Sequence, residues 1–365
     1  MMKTKKIKKK IFLRKNIVII GGGGGASSLL STLKNLVYDK KISSLTSLIT
    51  NADDGGSTGK IRKWYNTSAW GDITKNILAL VDNRKVHLQF LTEALKCRFN
   101  YGDFKGHTLR NILLTGISQL NNCNDDCAIQ EIKYILGIDK NLIVTPITSV
   151  PVNLKFTSKI PFKIHGNKRK VKVLIGQKKI SVDLPIQNIT NNIDDYDISV
   201  FSEKKKVLLH KNARNALEKS DCIIISPGHT HGSILAALCT PNLHKYIKNK
   251  KLLYIIPFFN RTALYQTNRW NCSDYIKIYN KYLKRDPDYV IINNKYNIRV
   301  RGHKWVKNDI RKNNIMQYKL ISTNLVAKSK IKKSNCPKTK TDTVVRTPIG
   351  FEKKKMLHIL TKIFR

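Results

Sequence analysis

Asn16-Ile-Val-Ile-Ile20-Gly-Gly-Gly-Gly-Gly25-Ala-Ser-Ser-Leu-Leu30 decides the class of fold. A short continuous apolar run is the pattern of a strand buried on both faces, and the helix-like stretch that opens after Ala26 returns the chain along the sheet. Between them stand five consecutive glycines, Gly21, Gly22, Gly23, Gly24 and Gly25. Each costs roughly 0.5–1 kcal/mol relative to alanine in a regular element, so such a run predicts more than a tight turn. Glycine lets backbone N–H groups approach an anion closely, and a helix N-terminus adds free donors and partial positive charge. The spacing satisfies G-x-G-x-x-A through Gly21, Gly23 and Ala26, as in dinucleotide-binding turns.

Working outward, residues 45–50 form a second strand candidate, and helical periodicity follows over 73–81, 86–97 and 109–120. Further buried-strand candidates lie at 222–225, 252–256 and 289–292. Helices are expected from Ser233 and over 273–283. Strands alternating with helices predict an α/β fold, Rossmann-like and doubly wound, with a mainly parallel sheet. Short alternating runs broken by Gly166 and Gly176 predict a β-hairpin insertion at about 150–185, followed by a polar connector at 191–197. The expected organisation is a basic extension at 1–15, one nucleotide-binding domain at 16–320 and a lysine-rich tail at 321–365.

The 68 Lys and Arg against 24 Asp and Glu give a net charge of +44. That charge favours polyanions, so nucleic acid is a candidate partner. The cations are spread along the whole chain rather than gathered in a stripe, and no zinc-finger, helix-turn-helix or RNP-type signature is present. Drift of composition is the competing explanation. Seven scattered cysteines fit free thiols in a reducing compartment. No apolar run reaches the ~18 residues of a membrane span, and the N-terminal apolar cluster at 11–13 is too short for a signal peptide. A cytoplasmic protein is expected.

A second turn, Asn51-Ala-Asp-Asp-Gly-Gly-Ser-Thr-Gly-Lys60, ends like a phosphate-binding P-loop. It departs from one at Asp54, where the first glycine belongs, and at Ile61, which replaces the magnesium-binding hydroxyl. What remains is Asp53 and Asp54 at the carboxyl end of a strand, before a flexible loop of Gly55, Gly56 and Ser57. Either acid could accept a sugar hydroxyl, hold Mg²⁺ or act as a general base; either could also cap a helix. Asp72 and Thr108 stand at two further helix starts, where each could be a cap, and His107 beside Thr108 could bind phosphate or orient a carboxylate. Ser226-Pro227-Gly228-His229-Thr-His231-Gly-Ser233 follows an apolar strand and reads as another anion nest. His229 and His231 have a metal-like spacing but no third ligand nearby.

These turns, in this order, resemble the family of the bacterial gluconeogenesis factor and the 2-phospho-L-lactate transferase of deazaflavin-coenzyme synthesis. The Ala52-Asp-Asp-Gly-Gly-Ser57 run is the most specific part, and the similarity extends with gaps from about Asn16 to Asn294. In the gluconeogenesis-factor branch the resemblance implies a UDP-sugar ligand and support of cell shape and cell-wall synthesis. In the transferase branch it implies transfer of a phospholactyl group to a deazaflavin with Mg²⁺. It further implies phosphate binding by Gly21–Gly25 and by Pro227 and Gly228, a reaction or ribose site at Asp53 and Asp54, and Asn111 beside them. A nucleotide-sugar or nucleoside-diphosphate ligand is therefore the expected partner, with a homo-oligomer as a further candidate. The sequence departs from the family at Thr74, with Lys75 as the neighbouring substitute cation, and at Arg110, His229 and Gln266.

Overall fold

The computed structural model describes residues 14–122, 124–163, 170–182, 184, 190, 192–261, 266–296, 299, 303–310, 317–327 and 349–365. The first half of the chain runs β1 (Asn16–Gly21), α1 (Gly23–Tyr38), β2 (Ser44–Ile49), α2 (Gly56–Tyr65), α3 (Trp70–Leu80), α4 (Val86–Lys96), α5 (Leu109–Leu120), α6 (Asp125–Ile135) and β3 (Leu142–Pro146). An insertion follows, of β4 (Asn153–Lys163), β5 (Lys170–Ile175), α7 (Gln177–Val182) and β6 (Tyr196–Phe201). The second half runs α8 (Lys211–Lys219), β7 (Cys222–Ile225), a π turn at Thr230–Ile234, α9 (Leu235–Leu238), α10 (Leu243–Ile247), β8 (Lys251–Ile255), β9 (Phe259–Arg261), α11 (Cys272–Leu283), β10 (Tyr289–Asn293), β11 (His303–Trp305), β12 (Lys319–Thr323) and α12 (Lys353–Phe364).

Seven strands form one sheet in the order β12-β10-β8-β7-β1-β2-β3, and every neighbouring pair is parallel. The apolar run of β1 explains its central place. Ile17 and Ile19 enter the core with α1, α3, α6 and α12, while Val18 and Ile20 enter the core with the insertion, α9 and α11. A strand apolar at every position can only be buried on both faces.

The insertion is a separate antiparallel sheet in the order β5-β4-β6. It is larger than the expected hairpin: the stretch read as a polar connector at 191–197 turns into its third strand at Tyr196. Its alternation places Tyr196, Ile198 and Val200 inward and Asp197 outward. The limit drawn at 320 falls inside β12, a half-exposed edge strand whose lysine disguised it as tail. Residues 353–364 likewise form α12, which packs Met356, Leu360 and Phe364 into the core beside α1. Among the described residues Cys97, Cys127, Cys222, Cys239 and Cys272 form no disulfide; Cys123 and Cys336 lie outside them. No helix among the described residues is long and apolar enough to cross a membrane.

Candidate functional site

The sheet order reverses at β1. The chain proceeds through β2 and β3 on one side and through β7, β8, β10 and β12 on the other. At such a point the turns leaving neighbouring strands diverge and open a crevice at the carboxyl edge. The register sets three turns at one level there: Ser226 N–H donates to the Ile20 carbonyl at 3.0 Å and Thr50 N–H to the Gly21 carbonyl at 3.1 Å. The turns read from sequence at Gly21, Asp53 and Ser226 therefore share one edge.

Four of the five glycines are there because walls touch. A Cβ on Gly21 would lie 2.0 Å from Ser226 Oγ, one on Gly22 2.7 Å from Ser233 Cβ, and one on Gly23 2.1 Å from Asp72 Oδ1. On Gly25 it would lie 1.4 Å from the Pro227 carbonyl oxygen. Pro227, which has no N–H, thus packs the late turn against α1, and Gly228 carries the chain on toward the π turn. Gly24 alone meets nothing within 4 Å and faces outward.

Four helix N-termini meet around this edge through direct contacts. Asp72, in the first turn of α3, abuts Gly23 in the first turn of α1. Thr58 Oγ1 in α2 accepts from Gly71 N–H in α3 at 3.2 Å. Ser57 in α2 joins His107 and Asn111 at the start of α5, both contacts being 3.1 Å. None of these four helices has a side-chain cap, their N-cap residues being Gly22, Gly55, Ala69 and Thr108. By contrast α6, α8, α11 and α12 are capped by Asn124, His210, Asn271 and Glu352; among the other longer helices of the described residues only α4 also lacks a cap. In α3 the N–H groups of Trp70, Gly71, Asp72 and Ile73, and in α5 those of Leu109, Asn111 and Ile112, are already bonded, whereas the first-turn N–H groups of α1 and α2 have no bonded partner among the described residues. Those open N–H groups, with four converging helix dipoles, make an edge suited to anions.

The two adjacent aspartates do different work. Asp54 accepts from Gln177 N–H at 3.0 Å and Lys178 N–H at 2.7 Å, so both its oxygens hold the start of α7. Its place is structural, and the loop expected to be flexible after it is already the first turn of α2. Asp54→Ala is expected to lose about 1–2 kcal/mol of stability, as for other charged caps. Limited proteolysis should then cut first within the insertion; unchanged stability and cleavage would show that α7 needs no cap. Asp53 instead closes a tight turn onto Gly55 N–H at 3.0 Å. Burial, and next the Asp72 carboxylate, push its pKa up to about 6. Lys75 lies 3.8 Å from Asp72, while Thr74 turns inward and donates to the Trp70 carbonyl at 2.6 Å.

His107 neither touches a carboxylate nor reaches outward, since it is buried and its Nδ1 faces Ser57 Oγ at 3.1 Å. Burial, with Lys60 and Arg98 nearby, lowers its pKa, so the ring is neutral at pH 7. The late histidines part company. His229 Nδ1 accepts from Gly232 N–H at 2.9 Å and caps the π turn, while His231 Nε2 pairs with the Tyr196 hydroxyl at 3.0 Å. Burial holds His231 down to about 3, leaving it uncharged in the core. Among the described residues no three His, Cys, Asp or Glu side chains cluster as a metal site.

Sequence reasoning missed Arg62 and α7. Arg62 donates to the Asp53 carbonyl at 2.7 Å and the Val152 carbonyl at 2.9 Å, tying the acidic turn to the insertion. On α7, Gln177 Nε2 donates to the Gly232 carbonyl at 3.1 Å. Gln266 Nε2 donates to the Ile180 carbonyl at 2.5 Å and the Leu184 carbonyl at 3.3 Å. The departure to an amide at Gln266 has a reason: a carboxylate could not donate to two carbonyls.

Residues 17–326 match the model of the family described as 2-phospho-L-lactate transferase CofD. The gluconeogenesis factor of Listeria innocua is 32% identical over 258 residues, covering 70% of this chain and 71% of that protein. The gluconeogenesis factor of Listeria monocytogenes is 31% identical over the same length, with the same coverage. Two crystal structures of one Bacillus halodurans protein superpose with TM-scores of 0.73 and 0.72 at 20% identity. They cover 95% of this chain and 99% of that one, and show that the fold is shared.

Proposed function

The chain belongs to the 2-phospho-L-lactate transferase CofD family, and within it we propose that this member is a cytoplasmic nucleotide-sugar-binding protein of the gluconeogenesis-factor type, supporting cell-wall synthesis and cell shape. The observation that carries the reading is the meeting of four helix N-termini, those of α1 and α2 with open first-turn N–H groups, at the point where the parallel sheet reverses. A diphosphate offers several oxygens to donors spread over more than one helix, which a single phosphate would leave unused. Identity above 30% to two gluconeogenesis factors favours that branch and its UDP-sugar ligand. UDP-N-acetylglucosamine is expected to bind saturably in isothermal titration. An absence of saturable heat, together with an unshifted melting curve at millimolar ligand, would sink the reading.

One observation favours the transferase branch as a second reading. The Asp72 carboxylate lies close enough to Asp53 to oppose its ionisation. Mg²⁺ is commonly held by one or two carboxylates with the remaining places taken by phosphate oxygens and water, and these two residues fit that role. The metal would neutralise charge on a diphosphate. Asp53 and Asp72 would hold it, and the helix N-termini would hold the phosphates. Incubation with guanylyl-linked phospholactate, a deazaflavin acceptor and Mg²⁺ separates the readings, because only a transferase forms the coupled product.

A further inference from the structure

Asn111 has one oxygen that nothing among the described residues satisfies. Its side chain is 2% exposed, and Oδ1 is buried without a hydrogen-bond partner. The orientation of the amide follows from its neighbours. Ser57 Oγ lies 3.1 Å from both His107 Nδ1 and Asn111 Nδ2. A hydroxyl has one proton to give. With the proton of neutral His107 on Nε2, Nδ1 takes it, so Ser57 Oγ accepts from the amide N–H₂ and Oδ1 is left over. Leaving a buried acceptor unpaired costs about 1–3 kcal/mol, which a donor on a ligand recovers. Through Ser57 the same amide is one side chain away from the uncapped N-terminus of α2. The missing donor therefore belongs to a group close to a bound phosphate.

This inference rests on the nucleotide-sugar reading and adds to it. We infer that Asn111 is a specificity-determining residue whose Oδ1 accepts a hydrogen bond from the substituent on sugar carbon 2, vicinal to the anomeric phosphate, while the first turn of α2 takes that phosphate. Among the parts of a nucleotide-sugar, this substituent is the donor that must lie near a phosphate oxygen. The N–H groups of a nucleobase are separated from the phosphates by the ribose. A hydroxyl or an amide N–H at carbon 2 serves equally, and a ligand lacking both leaves Oδ1 unpaired.

The test is a cycle over ligand and protein, read by isothermal titration with UDP-glucose, UDP-2-deoxyglucose and UDP. The unaltered protein is expected to bind UDP-glucose about ten-fold more tightly than the 2-deoxy ligand, the usual size of discrimination by a buried polar group being at least that. Asn111→Leu should reduce this ratio to near one, mainly by weakening UDP-glucose, while UDP affinity changes little. Ser57→Ala should also shrink the ratio, because the amide loses the partner that orients it. Since the readout is a ratio within each variant, a loss of folded fraction does not mimic it. A ratio near one in the unaltered protein, or a ratio unmoved by Asn111→Leu, overturns the inference. Absence of binding by all three ligands would instead overturn the nucleotide-sugar reading itself.

Discussion

Gly25→Ala is expected to lower stability by about 3 kcal/mol or more, whereas Gly24→Ala, one residue earlier, is expected to raise it by roughly 0.5–1 kcal/mol. The first substitution drives a methyl group to 1.4 Å from the Pro227 carbonyl oxygen, so the turn after β7 and the start of α1 must separate. The second places a methyl group on an exposed helical position with nothing within 4 Å, and gains helix propensity. For a chain of this size the two variants should melt about 4 °C or more below and about 1 °C above the parent, respectively. Gly24→Ala adds a further check, because the open space beside it is where an anion would approach the first turn of α1. Its ligand affinity should fall while its stability rises. A Gly25→Ala protein that melts like the parent would show that the two walls are not held in contact.

Asp53→Asn is expected to stabilise the protein at neutral pH and to damage ligand binding. The folded-state pKa of about 6 stands roughly two units above the ordinary aspartate value. Between pH 4 and 6 the folded state therefore holds a proton that the unfolded chain has released, and stability falls as pH rises through that window. At pH 7 the ionised carboxylate costs on the order of 2–3 kcal/mol. Asparagine removes the charge and keeps an oxygen for Gly55 N–H. The variant should melt several degrees higher than the parent at pH 7.5, with the difference vanishing near pH 4. Binding of UDP-N-acetylglucosamine should weaken at least ten-fold if Asp53 meets the ligand or its metal. Equal melting of the two proteins at both pH values would show that the carboxylate is not held against Asp72 and burial. A residue that works against stability in the free protein is common where a ligand or ion is to be bound.

Much of the crevice was legible in the sequence because its parts are local. Apolar runs such as residues 17–20 and 222–225 must be buried on both faces, and the glycine and acidic turns follow them directly. The uncapped helix starts are also visible in retrospect, since Gly22, Gly55 and Ala69 stand where a cap would be Ser, Thr, Asp or Asn. Distance in sequence hid the rest. Asp53 and Asp54 are chemically identical neighbours. What separates them is a pair of N–H groups 123 and 124 residues away. His107 looked free to meet a phosphate because its partner, Ser57, lies 50 residues earlier. Strand β12 escaped notice because an edge strand needs only one apolar face, so its alternation is weak and its lysine is tolerated.

The short helix α7 carries a consequence for the order in which this chain assembles. Six residues are too few to be helical alone. Its three anchors, Asp54, Gly232 and Gln266, lie 123, 55 and 86 residues from the groups they bind. None of these anchors is in place until β2, β7 and the segment before α11 have found one another. The helix is therefore expected to form late, after the sheet, and only over a crevice whose walls are already correct. In refolding followed by hydrogen-exchange labelling, the Gln177 and Lys178 amides should gain protection after those of β1 and β7.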